Sequence, residues 1–128
     1  MIYAYGSRYS NIPLTIVREY SASTTWNKPA GLKEALVICI GAGGGGGGGR
    51  RRNGATSGGS GGGGGAYVLH RYPASALTDA SYSVLVGAGG NGGTGTSDLS
   101  SNNGETGGAT SFGTLLEANG GSGGAGAV

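Results

Sequence analysis

The pattern in this chain that comes closest to known chemistry is an apolar segment running straight into glycine. In LVICIGAGGGG, Leu36 to Gly46, a strand-like stretch is followed by Gly41, Gly43 and Gly46, the Gly-x-Gly-x-x-Gly spacing with which a dinucleotide-binding turn brings its backbone against a pyrophosphate. That chemistry needs a helix directly after the glycines, whose N-terminal amides hold the phosphates, and an acidic residue about 20 positions on for the ribose. More glycine and three arginines follow here, so nucleotide binding is not expected. Arg50, Arg51 and Arg52 with Asn53 interrupt the glycine and read as a loop tip. Its plainest role is solvation; its functional reading is contact with phosphate or carboxylate, for which guanidinium forks are suited. Asp98, Asn102, Asn103 and Glu105 offer oxygen ligands, but their spacing matches no calcium loop, and a solvated turn is the expectation. His70 has no partnering Cys or His cluster, and Cys39 sits inside an apolar run as a small core residue. No nucleophile elbow surrounds any serine. The expectation is therefore no catalytic residue, no metal and no cofactor.

Of 128 residues, 33 are glycine and 3 proline, a composition that ordinarily signals disorder. Against disorder stand the charge, 11% of residues with a formal net charge of +2, and several apolar segments that survive between the glycine arrays. The balance points to an ordered chain with a thin core that depends on partner subunits. A net charge of +2 gives no reason to expect nucleic acid. A single cysteine excludes an intrachain disulfide. No segment approaches the ~20 apolar residues of a membrane span, and no secretion signal is expected at Met1 to Tyr9, which fits release by lysis in an assembled particle.

The elements that must position these residues read as follows. Residues 1–12 form an extended arm and residues 13–128 a glycine-rich β domain. Strands are expected at Pro13 to Tyr20, Ala35 to Ile40, Ala66 to Tyr72, Tyr82 to Val86 and Ala109 to Glu117, with a turn at Thr24 to Gly31. Glycine arrays follow at Gly41 to Gly65, Gly87 to Gly95 and Gly120 to Gly126, and a polar loop spans Thr96 to Thr106. The unit repeats: LVICIGAGGGGG from Leu36 and YSVLVGAGGNGG from Tyr82 each join an apolar strand to Gly-Ala-Gly-Gly. No helix longer than a turn is expected, since each helical glycine costs roughly 1 kcal/mol. The fold class is all-β. A glycine run alone is a flexible coil; several side by side can bond N–H to C=O as closely as collagen-like chains do. Tyr3, Tyr5, Tyr9 and Trp26 are the expected subunit-interface residues.

The phrase Thr24 to Gly49, with Trp26, the Pro29 to Gly31 turn, the apolar Leu36 to Ile40 and the run Gly43 to Gly49, resembles the glycine-rich domain of bacteriophage tail fibre and tail-tip proteins. Thr110 to Gly124, a Thr-Ser-Phe-Gly strand running into glycine, is similar to a second phrase of that family, and the resemblance covers roughly Val17 to Val128. It implies a β-sandwich with packed polyglycine helices beside it, similar also to the glycine-rich region of some receptor tyrosine kinase ectodomains. It further implies a non-enzymatic structural or receptor-binding component of a phage tail, located in the virion and homo-oligomeric. Its partners would be other tail proteins and a bacterial surface polysaccharide or outer-membrane protein, with receptor contacts at Arg50, Arg51, Arg52, Asn53, Asn102 and Asn103. The chain departs from the family in being short and in ending within its third array, where longer relatives continue. An extracellular surface binder of ice-binding or matrix type is the alternative.

Overall fold

The computed structural model describes residues 2–8, 14–97 and 100–128. The chain divides into two compact units: Met1–Ile40, Tyr67–Val86 and Thr110–Ala118 in one, and Gly41–Ala66, Gly87–Ala109 and Asn119–Val128 in the other.

The first unit is built from antiparallel strands. β1 (Ile2–Arg8), β2 (Leu14–Tyr20), β4 (Glu34–Ile40) and β7 (Tyr67–Pro73) form one sheet in the order β2-β1-β4-β7. β3 (Thr24–Asn27), β8 (Ser81–Leu85), β9 (Thr110–Phe112) and β10 (Leu116–Ala118) form the other, in the order β10-β9-β8-β3. β9 and β10 pack on β4 and β7, and both sheets contribute to one core. Along β4 the two-residue side-chain period buries Ala35, Val37 and Cys39 and leaves Leu36, Ile38 and Ile40 half-buried on the opposite face. Trp26, Tyr82 and Phe112 meet in an aromatic cluster, with Trp26 and Phe112 edge to face at 5.4 Å and Tyr82 and Phe112 stacked at 5.0 Å between centroids.

Three local expectations are corrected. Thr24 to Gly31 was expected as one turn, but Thr24–Asn27 pairs with β8, because that register seats Trp26 in the core opposite Tyr82. The turn is confined to Pro29 to Leu32, where Leu32 N–H donates to the Pro29 carbonyl at 3.3 Å and Gly31 takes φ 74°. The single strand expected at Ala109 to Glu117 is a hairpin of β9 and β10, turning at Gly113 with φ 53°. Of the arm expected at residues 1–12, the described residues 2–8 are a strand of the chain's own sheet, between β2 and β4. A helical element occurs only as the 3₁₀ turn Ala74–Ala76, among the described residues.

The second unit contains five side-chain-poor runs, labelled I (residues 41–49), II (58–66), III (87–96), IV (100–109) and V (119–128). They bond to one another through the backbone at every third residue, with N···O distances of 2.7–3.3 Å. Gly41, Gly44 and Gly47 of run I donate to Ala66, Gly63 and Ser60 of run II; Ala42, Gly45 and Gly48 donate to Gly108, Glu105 and Asn102 of run IV. Run I in turn accepts from Gly90, Gly93 and Thr96 of run III and from Gly121, Gly124 and Ala127 of run V. Runs III and IV, IV and V, and II and V are bonded likewise. Run I is thus central, and the polar stretch expected as a loop at Thr96 to Thr106 instead supplies most of run IV.

The steric requirement follows the same period. A Cβ at Gly44 or Gly47 would overlap the Ser122 or Ala125 carbonyl of run V; one at Gly45 or Gly48 would overlap that of Asn91 or Thr94 of run III. Gly104 and Gly107 of run IV face the Gly45 and Ala42 carbonyls in the same way. At Gly58, Gly61 and Gly64 an added Cβ would meet nothing within 4 Å.

Gly47→Ala is therefore expected to cost about 3 kcal/mol or more through forced separation of runs I and V. Gly61→Ala should be neutral or stabilise by about 0.4–1 kcal/mol, because it restricts the unfolded chain without a clash. Urea unfolding of the two variants checks the contrast; equal effects would show that the runs are not closely packed.

Alkaline pH tests the core. Burial pushes the Cys39 thiol above its ordinary 9.0 and the Tyr72 phenol above its ordinary 10.0. Both groups hold their protons more tightly folded than unfolded, so this stability is full below the unfolded pKa values and is lost as pH rises through the folded ones. The urea midpoint should stay level to about pH 8.5 and fall above it, with Cys39→Ala moving the onset upward.

Candidate functional site

Run I does not end in a helix; it continues into β5 (Arg50–Arg52), which pairs with β6 (Ala55–Ser57) before run II begins. Asn53 and Gly54 close this hairpin with φ 48° and 82°, the two positive values that a two-residue turn matched to strand twist requires. The Gly41, Gly43 and Gly46 pattern therefore opens a backbone-bonded run, without the helix N-terminus that would hold a pyrophosphate.

The hairpin is tied to the end of run III. Arg50 forms a parallel bridge with Thr96, Arg51 N–H donates to the Thr96 carbonyl at 3.0 Å, and Thr96 N–H donates to the Gly49 carbonyl at 3.1 Å. The Thr96 hydroxyl donates to the Ser100 carbonyl at 2.8 Å, at the start of run IV. Beside it, Ser101 N–H donates to the Ala127 carbonyl, Ala127 N–H donates to the Gly48 carbonyl, and the Ser101 hydroxyl donates to the same Gly48 carbonyl. One end of the bundle thus gathers the hairpin 50–57, Thr96, Ser100, Ser101 and the end of run V.

The residues singled out in the sequence divide sharply at this end. Arg51, Arg52 and Asn53 are exposed and Arg50 is half-buried; among the described residues none of the three arginines has an acidic partner. The ion pair present in the described residues joins Arg71 and Glu34 in the strand unit. Asn102 and Asn103 belong to the scaffold: Asn102 bonds Thr94 and Gly48 through its backbone, and Asn103 Oδ1 accepts from Gly126 N–H at 2.8 Å. Glu105 Oε2 accepts from Asn91 Nδ2 at 2.7 Å. Asp98, and with it the idea of a shared oxygen-ligand loop, lies outside the described residues.

Of the expected interface residues, Tyr9 is likewise outside the described residues. Tyr3 and Tyr5 lie in β1, at register positions opposite Ile38 of β4 and Val17 of β2. Trp26 is 2% exposed, so its place is the core of its own unit and not a subunit interface. His70 is exposed beside Tyr72, with ring centroids 4.4 Å apart. The sequence reading missed a shallow cleft of about 290 Å³ in the strand unit, lined by Thr78, Asp79, Tyr82, Thr114 and Leu115 among others. Tyr82 Oη accepts from Asp79 N–H there at 3.1 Å, an arrangement that orders the turn before β8.

No curated protein and no solved structure matches the chain. The family model described as Glycine-rich domain matches residues 19–128, which takes in β3 to β10 and all five runs, and the chain belongs to that family.

Proposed function

We propose that this protein is a non-enzymatic component of a phage tail tip or tail fibre, in which the glycine runs are threefold polyglycine-type helices that carry a receptor-contacting end. The observation that carries this reading is the bonding of the arginine hairpin to Thr96 of run III, at the end of a backbone-bonded bundle where Ser101 and Ala127 also lie. The three-residue period of those bonds is the repeat of a polyproline-II-like helix, which rises about 3.1 Å per residue and has no internal hydrogen bonds. Such runs are rigid only together, and loops at the ends of a rigid element can change without disturbing it. Three arginines that have no acidic partner among the described residues suit an anionic bacterial surface polysaccharide.

Homo-oligomerisation belongs to the same proposal. On the outer face of the first sheet, Val17, Tyr67 and Leu69 are each more than half exposed, next to half-buried Leu36, Ile38 and Ile40. The register positions of Tyr3 and Tyr5 fall on this face, and an apolar surface of this kind marks an interaction site.

A second reading, an ice-binding surface, is favoured by exposed glycine rows at every third residue, Gly43, Gly46 and Gly49 in run I and Gly58, Gly61 and Gly64 in run II. Thermal hysteresis by the purified protein would support it over a tail role.

The tail reading is tested with Arg50, Arg51 and Arg52 replaced together by serine. Stability should change by no more than about 0.5 kcal/mol per exposed site, and particles should still contain the protein by mass spectrometry. Host adsorption should fall about tenfold or more, the worth of one lost charge-assisted contact, and wild-type adsorption should weaken with added salt. Unchanged adsorption by particles that carry the variant would refute the receptor contact.

A further inference from the structure

The three arginines are not equivalent. Side chains alternate along a strand, so Arg50 and Arg52 share one face of the hairpin, with Ser57 and Ala55 opposite them, while Arg51 and Thr56 belong to the other. Arg50 is also the one hemmed in by backbone on both sides, paired with Ser57 across the hairpin and bridged to Thr96 of run III. Its Nε is fully covered and has no hydrogen-bond partner, the one such buried side-chain atom among the described residues. Buried polar atoms in native proteins are nearly always bonded, and a guanidinium N–H can only donate. Covered on all sides, that N–H marks Arg50 as the arginine whose stem is enclosed, and contact with a ligand falls to its terminal Nη groups.

We propose that the Arg50–Arg52 face is a phosphate-binding site. This rests on the reading of the hairpin as the contact end of the protein. Arg50 supplies one cation: its covered Nε cannot itself reach a ligand, but a half-buried side chain is already restricted, so its terminal Nη groups lose less freedom on binding than those of a solvated arginine. Arg52, two residues on and exposed, supplies the second cation, and the Ser57 residue opposite Arg50 places a hydroxyl on the same face. A tetrahedral phosphate has oxygens enough to accept from both guanidinium groups, whereas a carboxylate is satisfied by one fork. The ligand chemistry is a phosphate group, whether borne on a sugar of a surface polymer or free in solution.

The test is a titration of the full chain, at constant ionic strength, followed by the ¹H–¹⁵N signals of the arginine Nε groups. Inorganic phosphate, glucose 6-phosphate and acetate are the probes. The expected result is a saturable shift of the Arg50 signal with either phosphate, and at least about tenfold weaker binding of acetate, one such factor corresponding to ~1.4 kcal/mol. Arg50→Lys, which keeps the charge and loses the fork, should weaken phosphate binding about tenfold, and Arg18→Ser on the exposed part of β2 should leave it unchanged. The wild-type titration needs no variant and stands if Arg50→Lys fails to fold. Tighter binding of the sugar phosphate identifies a surface polymer as the source; tighter binding of inorganic phosphate keeps the site but assigns it to the free ion. Non-saturating shifts that are equal at Arg50, Arg51 and Arg52 would overturn the proposal, as would equal affinity for acetate. Host adsorption enters none of these readouts, so the phosphate site and the receptor reading can fail separately.

Discussion

Everything in the second unit depends on backbone groups of neighbouring runs approaching within hydrogen-bond distance at every third residue. The approach is possible only where no Cβ intervenes, which is why Gly44, Gly45, Gly47 and Gly48 all stand against carbonyl groups of other runs. A central run with four bonded neighbours has its N–H and C=O groups drawn in several directions at once, so the bundle is not a sheet and has no single ladder. Each such bond contributes only about 1 kcal/mol net, and every glycine ordered gives up much backbone entropy. The balance favours order because the bonds are shared: losing one run would leave unpaired groups on its neighbours, so the runs stand or fall together.

The strand unit works on the opposite principle. Its core is side-chain burial around Trp26, Tyr82 and Phe112, with Val37, Cys39, Val84 and Leu77 completing it. The two units alternate along the chain: β4 leads into run I, run II into β7, β8 into run III, run IV into β9, and β10 into run V. Every run is thus joined in sequence to a strand of the other unit. The repeated join of an apolar strand to Gly-Ala-Gly-Gly is the sequence trace of that arrangement.

The β4 strand was legible because a short, continuous apolar run has few other fates, and β2, β7 and β8 because β-branched and aromatic residues mark them. What escaped was a period hidden by abundance. Ala88, Asn91 and Thr94, and again Asn119, Ser122 and Ala125, stand three apart with glycine pairs between them, marking the positions where a run tolerates a side chain. Run IV was the hardest to see, since its exposed positions carry Asn102, Asn103, Glu105 and Thr106 and disguise it as a loop. Its row Ser101, Gly104, Gly107 was the available signal: two glycines face carbonyl groups of run I, and at the third step a serine bonds one with its hydroxyl. The Asn53-Gly54 pair was the available signal for a hairpin where the sequence was read only as a loop tip, and the tie of that hairpin to Thr96 could not be read because it joins residues far apart in sequence.

A scaffold made of backbone has a consequence for the hairpin at its end. Side-chain cores couple distant positions through packing, so a change at a rim propagates inward. A glycine bundle has almost no side chains through which to propagate, and the hairpin meets it through backbone bonds at Arg51 and Thr96 that any non-proline residue could make. The side chains of Arg51, Arg52 and Asn53 are thereby released from structural duty, save that Asn53 must tolerate its positive φ. Arg50 alone is held partly inside, and the same backbone that encloses it leaves its Nε with nothing to bond. A covered donor left unbonded costs free energy, so of the three arginines Arg50 is the one whose side chain is not neutral to the fold.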